Sequence, residues 1–163
     1  MDLSDLAGGA RDPLEPYLAF HRRAERSLAA LVDLAGRLEA GEMDERTSAA
    51  AAGLLGFFGE SLPRHHEDEE RTLIPYLERR IPAGVRRARF RELCEELEAD
   101  HRAMHETWKR IRGVLAAVSE GAARRLPLEL VQYYRAVQSI HICAEEAALH
   151  RAARGHTIVT PLP

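Results

Sequence analysis

His65 and Glu69, in the stretch LPRHHEDEERTLIPY from Leu62 to Tyr76, stand one helical turn apart. On a helix, both side chains therefore project from one face toward one point. An imidazole nitrogen and a carboxylate oxygen brought together in this way make half of a metal site. Three other segments offer similar donors: His21 in YLAFHRRAERSL, His101 and His105 in LEADHRAMHETW, and His141 with Glu145 in SIHICAEEAAL. One such pair is more often a surface contact than a ligand set. Four successive segments, each with ligand-type residues on its apolar face, point elsewhere. Burying five imidazoles and two carboxylates without a cation costs on the order of several kcal/mol for each uncompensated group, and a bound metal removes that cost.

Ligand number and type narrow the metal. Zinc is satisfied by four ligands, and His101 with His105 has zincin-like spacing, but Arg102 stands where that motif carries its catalytic Glu. Ferritin-like di-iron sites use two Glu-x-x-His pairs, and only Glu98 with His101 fits that pattern. Seven ligands suit two octahedral ions that share bridges. Five histidines and two bridging carboxylates, completed by a bridging oxide or hydroxide, leave one position open for a small molecule. Mixed imidazole and carboxylate ligation suits iron, with manganese possible.

Four helices must position these residues. Asp12 and Pro13 read as an N-cap and first helical position, followed by Leu14, Tyr17, Leu18, His21, Leu28 and Val32 at helical spacing, with Gly41 as the stop. A second helix is expected from Asp44, kinked by Pro63 just before His65 and ending near Pro82 and Gly84. The third runs from about Val85 to Ser119 and is closed by Gly121. The fourth is opened by Pro127 and stops before Gly155, leaving the tail HTIVTPLP as coil. The expected fold is all-α: an antiparallel up-down-up-down four-helix bundle of one domain over residues 1–163, with the bundle at about 12–154. The candidate ligand positions fall near the middle of all four helices, so such a bundle brings them to one depth.

His66 is rotated by about 100° from His65 on a helix of 3.6 residues per turn, and reads as a non-ligand unless a twist at Pro63 exchanges the two. His150 and His156 read as non-ligands too. A net charge of -3 and a pI near 6.2 argue against nucleic acid as the main partner. No apolar run approaches the roughly 20 residues that span a bilayer, and MDLSDLAGGARD is not a secretory signal. Cys94 and Cys143 show neither metal-ligand spacing nor a disulfide framework. A cytoplasmic, soluble protein without a membrane partner is expected.

The pattern His65-His66-x-x-Glu69-Glu70 with Leu73 and Pro75 following, the His101 and His105 pair, and His141 with Glu145 and Glu146 resemble the hemerythrin or HHE cation-binding family. The resemblance covers residues from about 12 to 152. It implies that His101, His105 and His141 hold one iron and that His21 and His65 hold the other. Glu69 and Glu145 would bridge, and the open position would belong to the His21 and His65 iron. Oxygen-carrying hemerythrins usually have Asp five residues after the fourth-helix histidine, whereas this chain has Glu145 at four, as in the broader HHE group. Two functions follow. One is a binding protein for dioxygen, nitric oxide, peroxide or iron itself, acting in sensing, storage or delivery. The other is an oxidoreductase acting on peroxide, nitric oxide or an organic substrate at the same centre. Glu25, one turn beyond His21, is the candidate proton donor near the open iron, in the neighbourhood of Phe58, Leu62, Trp108 and Tyr134.

Overall fold

The computed structural model describes residues 14–153, which form an all-helical bundle with no strand among them. Helix α1 spans Glu15–Glu39, with Pro16 in its first turn, where the missing N–H has no intrahelical acceptor to lose. Asp12, Pro13 and the tail from Gly155 onward lie outside the described residues. Gly41 opens the first connection, just past the end of α1, with φ +82°, a conformation strained for any residue with a Cβ.

Helix α2 covers residues 45–78 and is set by a reciprocal cap. The Asp44 carboxylate accepts from the Thr47 N–H at 2.8 Å, and the Thr47 hydroxyl accepts from the Asp44 N–H at 2.8 Å. Its middle departs from the simple kink expected at Pro63. The α-helical turns Glu45–Gly56, Leu62–Asp68 and Ile74–Glu78 are separated by two π-helical turns, Phe57–Ser61 and Glu69–Leu73. The N–H of Leu62 bonds to the carbonyl of Phe57, and that of Ile74 to the carbonyl of Glu69, each five residues back. In both cases the next residue is a proline, Pro63 or Pro75. A proline ring clashes with the carbonyl four residues back and donates nothing to it. Widening the preceding turn accommodates the ring and lets the helix continue. The helix therefore ends at Glu78, and residues 79–84 lead to Gly84, whose φ of +121° marks the start of the next element.

Helix α3 spans Val85–Ser119 and α4 spans Leu128–Ala153, with Gly121 at φ +73° between them. None of the described helices is long and apolar enough to cross a membrane. Both cysteines are free; Cys94 is buried, and burial pushes its thiol up to about 12.

The core is divided into two apolar clusters with the ligand-type residues between them. The larger contains Ala24, Leu28 and Leu31 of α1, Leu54, Phe58 and Leu62 of α2, Met104 and Trp108 of α3, and Val131 and Tyr134 of α4. The smaller contains Tyr17, Leu73, Leu77, Phe90, Cys94 and Leu149. Along α1 the chain passes from the smaller cluster through His21 to the larger, and along α2 it passes from the larger through His65 and Glu69 to the smaller. The order reverses again in α3 and once more in α4.

Candidate metal centre

The side chains that meet between the clusters are His21 from α1, His65 and Glu69 from α2, His101 from α3, and His141 and Glu145 from α4. All six are buried; Glu69 is 0% and Glu145 1% exposed. Carboxylates at such depth are rare unless paired or bound to a cation.

Their geometry joins two sets of imidazoles through two carboxylates. Glu69 Oε1 lies 3.3 Å from His21 Nε2 and 2.8 Å from His65 Nε2, while its Oε2 lies 3.9 Å from His101 Nε2. Glu145 Oε2 lies 3.4 Å from His21 Nε2 and 3.5 Å from His141 Nε2. Each carboxylate therefore touches a histidine on both sides. Three of the atoms gathered here, His65 Nε2, Glu69 Oε2 and Glu145 Oε1, are buried without a hydrogen-bond partner. The 2.8 Å approach of His65 to Glu69 is close but not aligned as a hydrogen bond. Two donor atoms that aim past each other toward a common point produce that combination. Three groups of ligand atoms lie within 4.8 Å of one another: His21 with His65 and Glu69, Glu69 with His101 and Glu145, and His66 with His101 and His141.

A second ring of carboxylates holds the histidines from behind. His21 Nδ1 is 3.1 Å from Glu146, His101 Nδ1 is 2.8 Å from Glu70, and His141 Nδ1 is 3.4 Å from Asp100. With the Nδ1–H donated outward, the Nε2 lone pair points inward and its basicity rises. The contact of His101 Nε2 with His141 Nε2 at 3.0 Å then demands a proton or a cation, since two lone pairs at that distance repel. Aromatic rings fix orientation as well. Phe20 stacks on His65 with ring centres 3.9 Å apart.

Without metal, protons take the cationic role. Burial opposes a charge on His21, but hydrogen bonds to Glu145 and Glu69 outweigh it and raise its pKa to about 10. Burial likewise opposes charge on His141, yet Glu145 and Asp100 raise it. Glu145 is held well below the ordinary carboxylate range, against the effect of burial, by His141 and His21. His66 behaves differently. Burial, followed by the neighbouring His101 and His141, pushes it down to about 2, so its ring stays neutral with a lone pair free.

Two residues stand elsewhere than the sequence pattern placed them. His105 is exposed and belongs to none of these groups, because Met104 and Trp108 take the inward positions of that stretch of α3. His66, read as a non-ligand, is half-buried and stacked on His101 with ring centres 3.8 Å apart and planes 3° from parallel. It joins the ligand layer alongside His65 rather than in exchange for it. The outer carboxylates also went unassigned. Their signal was the doublets Glu69-Glu70 and Glu145-Glu146, one member turned inward and the other toward a histidine of the next helix. Glu25 is half-buried at the shoulder of α1, where Ala24 and Leu28 occupy the core positions. It lines neither of the two cavities that reach the ligand histidines.

A helical bundle with imidazoles and carboxylates buried and converging in this way carries donor groups that could hold a cation. The model of the hemerythrin HHE cation binding domain matches residues 12–153, and the chain belongs to that family. It is also similar to a protein of Haemophilus influenzae described as uncharacterized, at 24% identity over 135 residues, which covers 83% of this chain and 75% of that one. No solved structure matches significantly.

Proposed function

We propose that this protein holds two iron ions in the layer between its apolar clusters and takes a small diatomic or peroxide ligand at one open position. The observation that carries this reading is the bridging placement of Glu69 and Glu145, each within reach of histidines on both sides and each retaining a buried oxygen without a hydrogen-bond partner. His21 and His65 would serve one ion. His101 and His141 would serve the other, with His66 as its third imidazole in place of His105. Five histidines and two carboxylates remain the donor set, which suits iron, with manganese possible. When bound, the pair of ions with a bridging oxide or hydroxide supplies an open, redox-active position for the small molecule.

The chain's own contribution is to orient and exclude. Glu146, Glu70 and Asp100 hold the imidazoles in the tautomer that presents Nε2 inward. The apolar clusters close the layer above and below, and the cavities beside His65 and beside His66 lead to it. The reversal of cluster order from helix to helix, together with the short connections at residues 40–44, 79–84 and 120–127, supports alternating helix directions. A cavity of ≈ 270 Å³ beside His65, walled by Tyr17 and Phe20, supports placing the open position on the His21 and His65 side.

Metal analysis combined with optical spectra under oxygen, nitric oxide and peroxide tests the reading. Two irons per chain are expected, with a spectrum that responds to at least one of these ligands. Reversible binding assigns a carrier or sensor, and turnover assigns the oxidoreductase. One zinc per chain would sink the proposal. The same analysis on variants settles the second ion. His105→Ala is expected to keep both irons, while His66→Ala, which would remove a direct ligand, weakens one position by more than the roughly 10- to 100-fold that loss of an outer partner costs. Full loading of His66→Ala with loss of iron in His105→Ala would restore the pair inferred from sequence. Glu25→Leu is expected to leave iron content and peroxide turnover unchanged. Slower turnover on a fully loaded protein would return Glu25 to the mechanism as a proton donor.

A further inference from the structure

Helix α4 is apolar on its outer side as well as its inner one. Among the described residues only Val85, Tyr133 and Ile140 are large hydrophobics left in the open, and Tyr133 and Ile140, at 59% and 70% exposed, both belong to α4. They are two helical turns apart and so share a face. Ala136, Cys143 and Ala144 are exposed on that face, with Ala147 half-buried at its end. The charged residues of this stretch stand off it. Arg135 and Glu146 lie roughly 120° or more around the helix from Ile140, and Glu146 is turned to His21. His141 and Glu145 belong to the ligand layer. The outer face of α3, by contrast, exposes Arg102, Glu106, Lys109 and Arg112 over a similar length. Contiguous exposed apolar surface of this kind marks an interaction site.

The order of large and small residues along the stripe points to its occupant. When a second copy of α4 is laid antiparallel on a two-fold axis at Ile140, residues equally far before and after Ile140 meet. Tyr133 then faces Ala147, and Ala136 faces Ala144, so the large ring at one end stands over a small residue at the other. Three turns out from the axis, Glu129 meets Arg151. Both lie within about 20° of Ile140 around the helix. Glu129 is exposed and Arg151 half-buried with its Nε lacking a hydrogen-bond partner, and neither has an ion-pair partner among the described residues. Each end of the pair therefore closes on opposite charges. An unrelated partner would have to match size and charge independently, whereas a second copy supplies both matches through the symmetry.

We propose that two copies of this protein associate through α4, antiparallel about Ile140. From Glu129 to Arg151 the stripe is about 33 Å long and about 10 Å wide, or roughly 330 Å² per copy. That is less than the roughly 800 Å² per partner of a standard interface. The pair is therefore reversible, with a Kd in about the micromolar range. It rests on the surface alone and is independent of which ions the layer holds.

Sedimentation equilibrium of the full-length protein across about 1 to 100 μM should follow a monomer–dimer equilibrium. Ile140→Glu sets two like charges together on the axis and should weaken association by at least about 100-fold. Glu129→Arg and Arg151→Glu each break both end pairs and should weaken it by about 3- to 10-fold. The two reversals combined should restore it. Disulfide cross-linking then fixes the register. In a Cys143→Ser background, Ile140→Cys should give a covalent dimer under mild oxidation. Ala136→Cys should not, since its two copies stand about 12 Å apart along the helices, beyond the roughly 7 Å that a disulfide spans. Far-UV circular dichroism checks that the variants keep their helices. A monomer at every concentration, or a dimer that Ile140→Glu leaves intact, would overturn the proposal. So would cross-linking of Ala136→Cys as readily as Ile140→Cys, or a double charge reversal that recovers no affinity.

Discussion

Glu69→Ala and Glu145→Ala are each expected to lose metal from both positions, a larger defect than any single histidine substitution produces. The reason is geometric. Glu69 spans His21 and His65 on one side and His101 on the other, and Glu145 spans His21 and His141. On the two-ion reading, removing either would delete a ligand from both ions at once, along with its negative charge. Replacing an outer carboxylate is milder. Glu70→Ala releases the His101 ring but removes no ligand, and should cost about 10- to 100-fold in affinity. Metal per chain after dialysis against a graded chelator series orders the variants. If Glu69→Ala retains metal better than Glu70→Ala, the two members of that doublet have been assigned the wrong way round.

Stripping the metal should lower the melting temperature by roughly 10 °C without unfolding the helices. A ligand that binds only the folded state at about a thousand times its Kd stabilises by about 4 kcal/mol, and a domain of this size shifts by about 2–4 °C per kcal/mol. Two features limit the loss. The apolar clusters on either side of the layer bury side chains from all four helices regardless of the ions. Within the layer, protons substitute for part of the cationic charge, since Glu145 and Glu69 outweigh burial and hold His21 charged up to about 10. The stripped core therefore keeps internal partners rather than a set of isolated polar groups. Circular dichroism melts of stripped and reconstituted protein decide the matter. Equal melting temperatures would mean that the layer binds nothing tightly.

Helix number and most boundaries were legible because they depend on local chemistry. Apolar residues at helical spacing and the stops at Gly41 and Gly121 can be read without tertiary information. The burial of six of the candidate residues could be read in the same way, since each sits on the stripe that faces the core. His105 shows where that logic fails. It is one turn from His101, and spacing alone puts both on one face, but the core stripe steps by four and three in turn, so that Met104 and Trp108 take the inward positions after His101. His66 failed for a different reason. A rotation of about 100° from His65 excludes it only if one helix presents one narrow face. Here α3 and α4 approach α2 from a second direction, so that two adjacent residues both face into the layer. The outer carboxylates needed knowledge of which helices are neighbours, which no single segment contains.

The two wide turns of α2 will also affect how this chain is aligned with its relatives. A π turn is an insertion of one residue into a helix, tolerated because the residue is absorbed as girth rather than length. A relative that builds the same bundle without the turn at Phe57–Ser61 would be one residue shorter between Asp44 and His65. An alignment anchored at Asp44 that refuses gaps inside helices would slide that relative by one position and set its inward histidine opposite Arg64. In a relative with two adjacent histidines, the second would then fall opposite His65 and make the error look like agreement. The gap belongs within the turn before Pro63, and the proline marks its place.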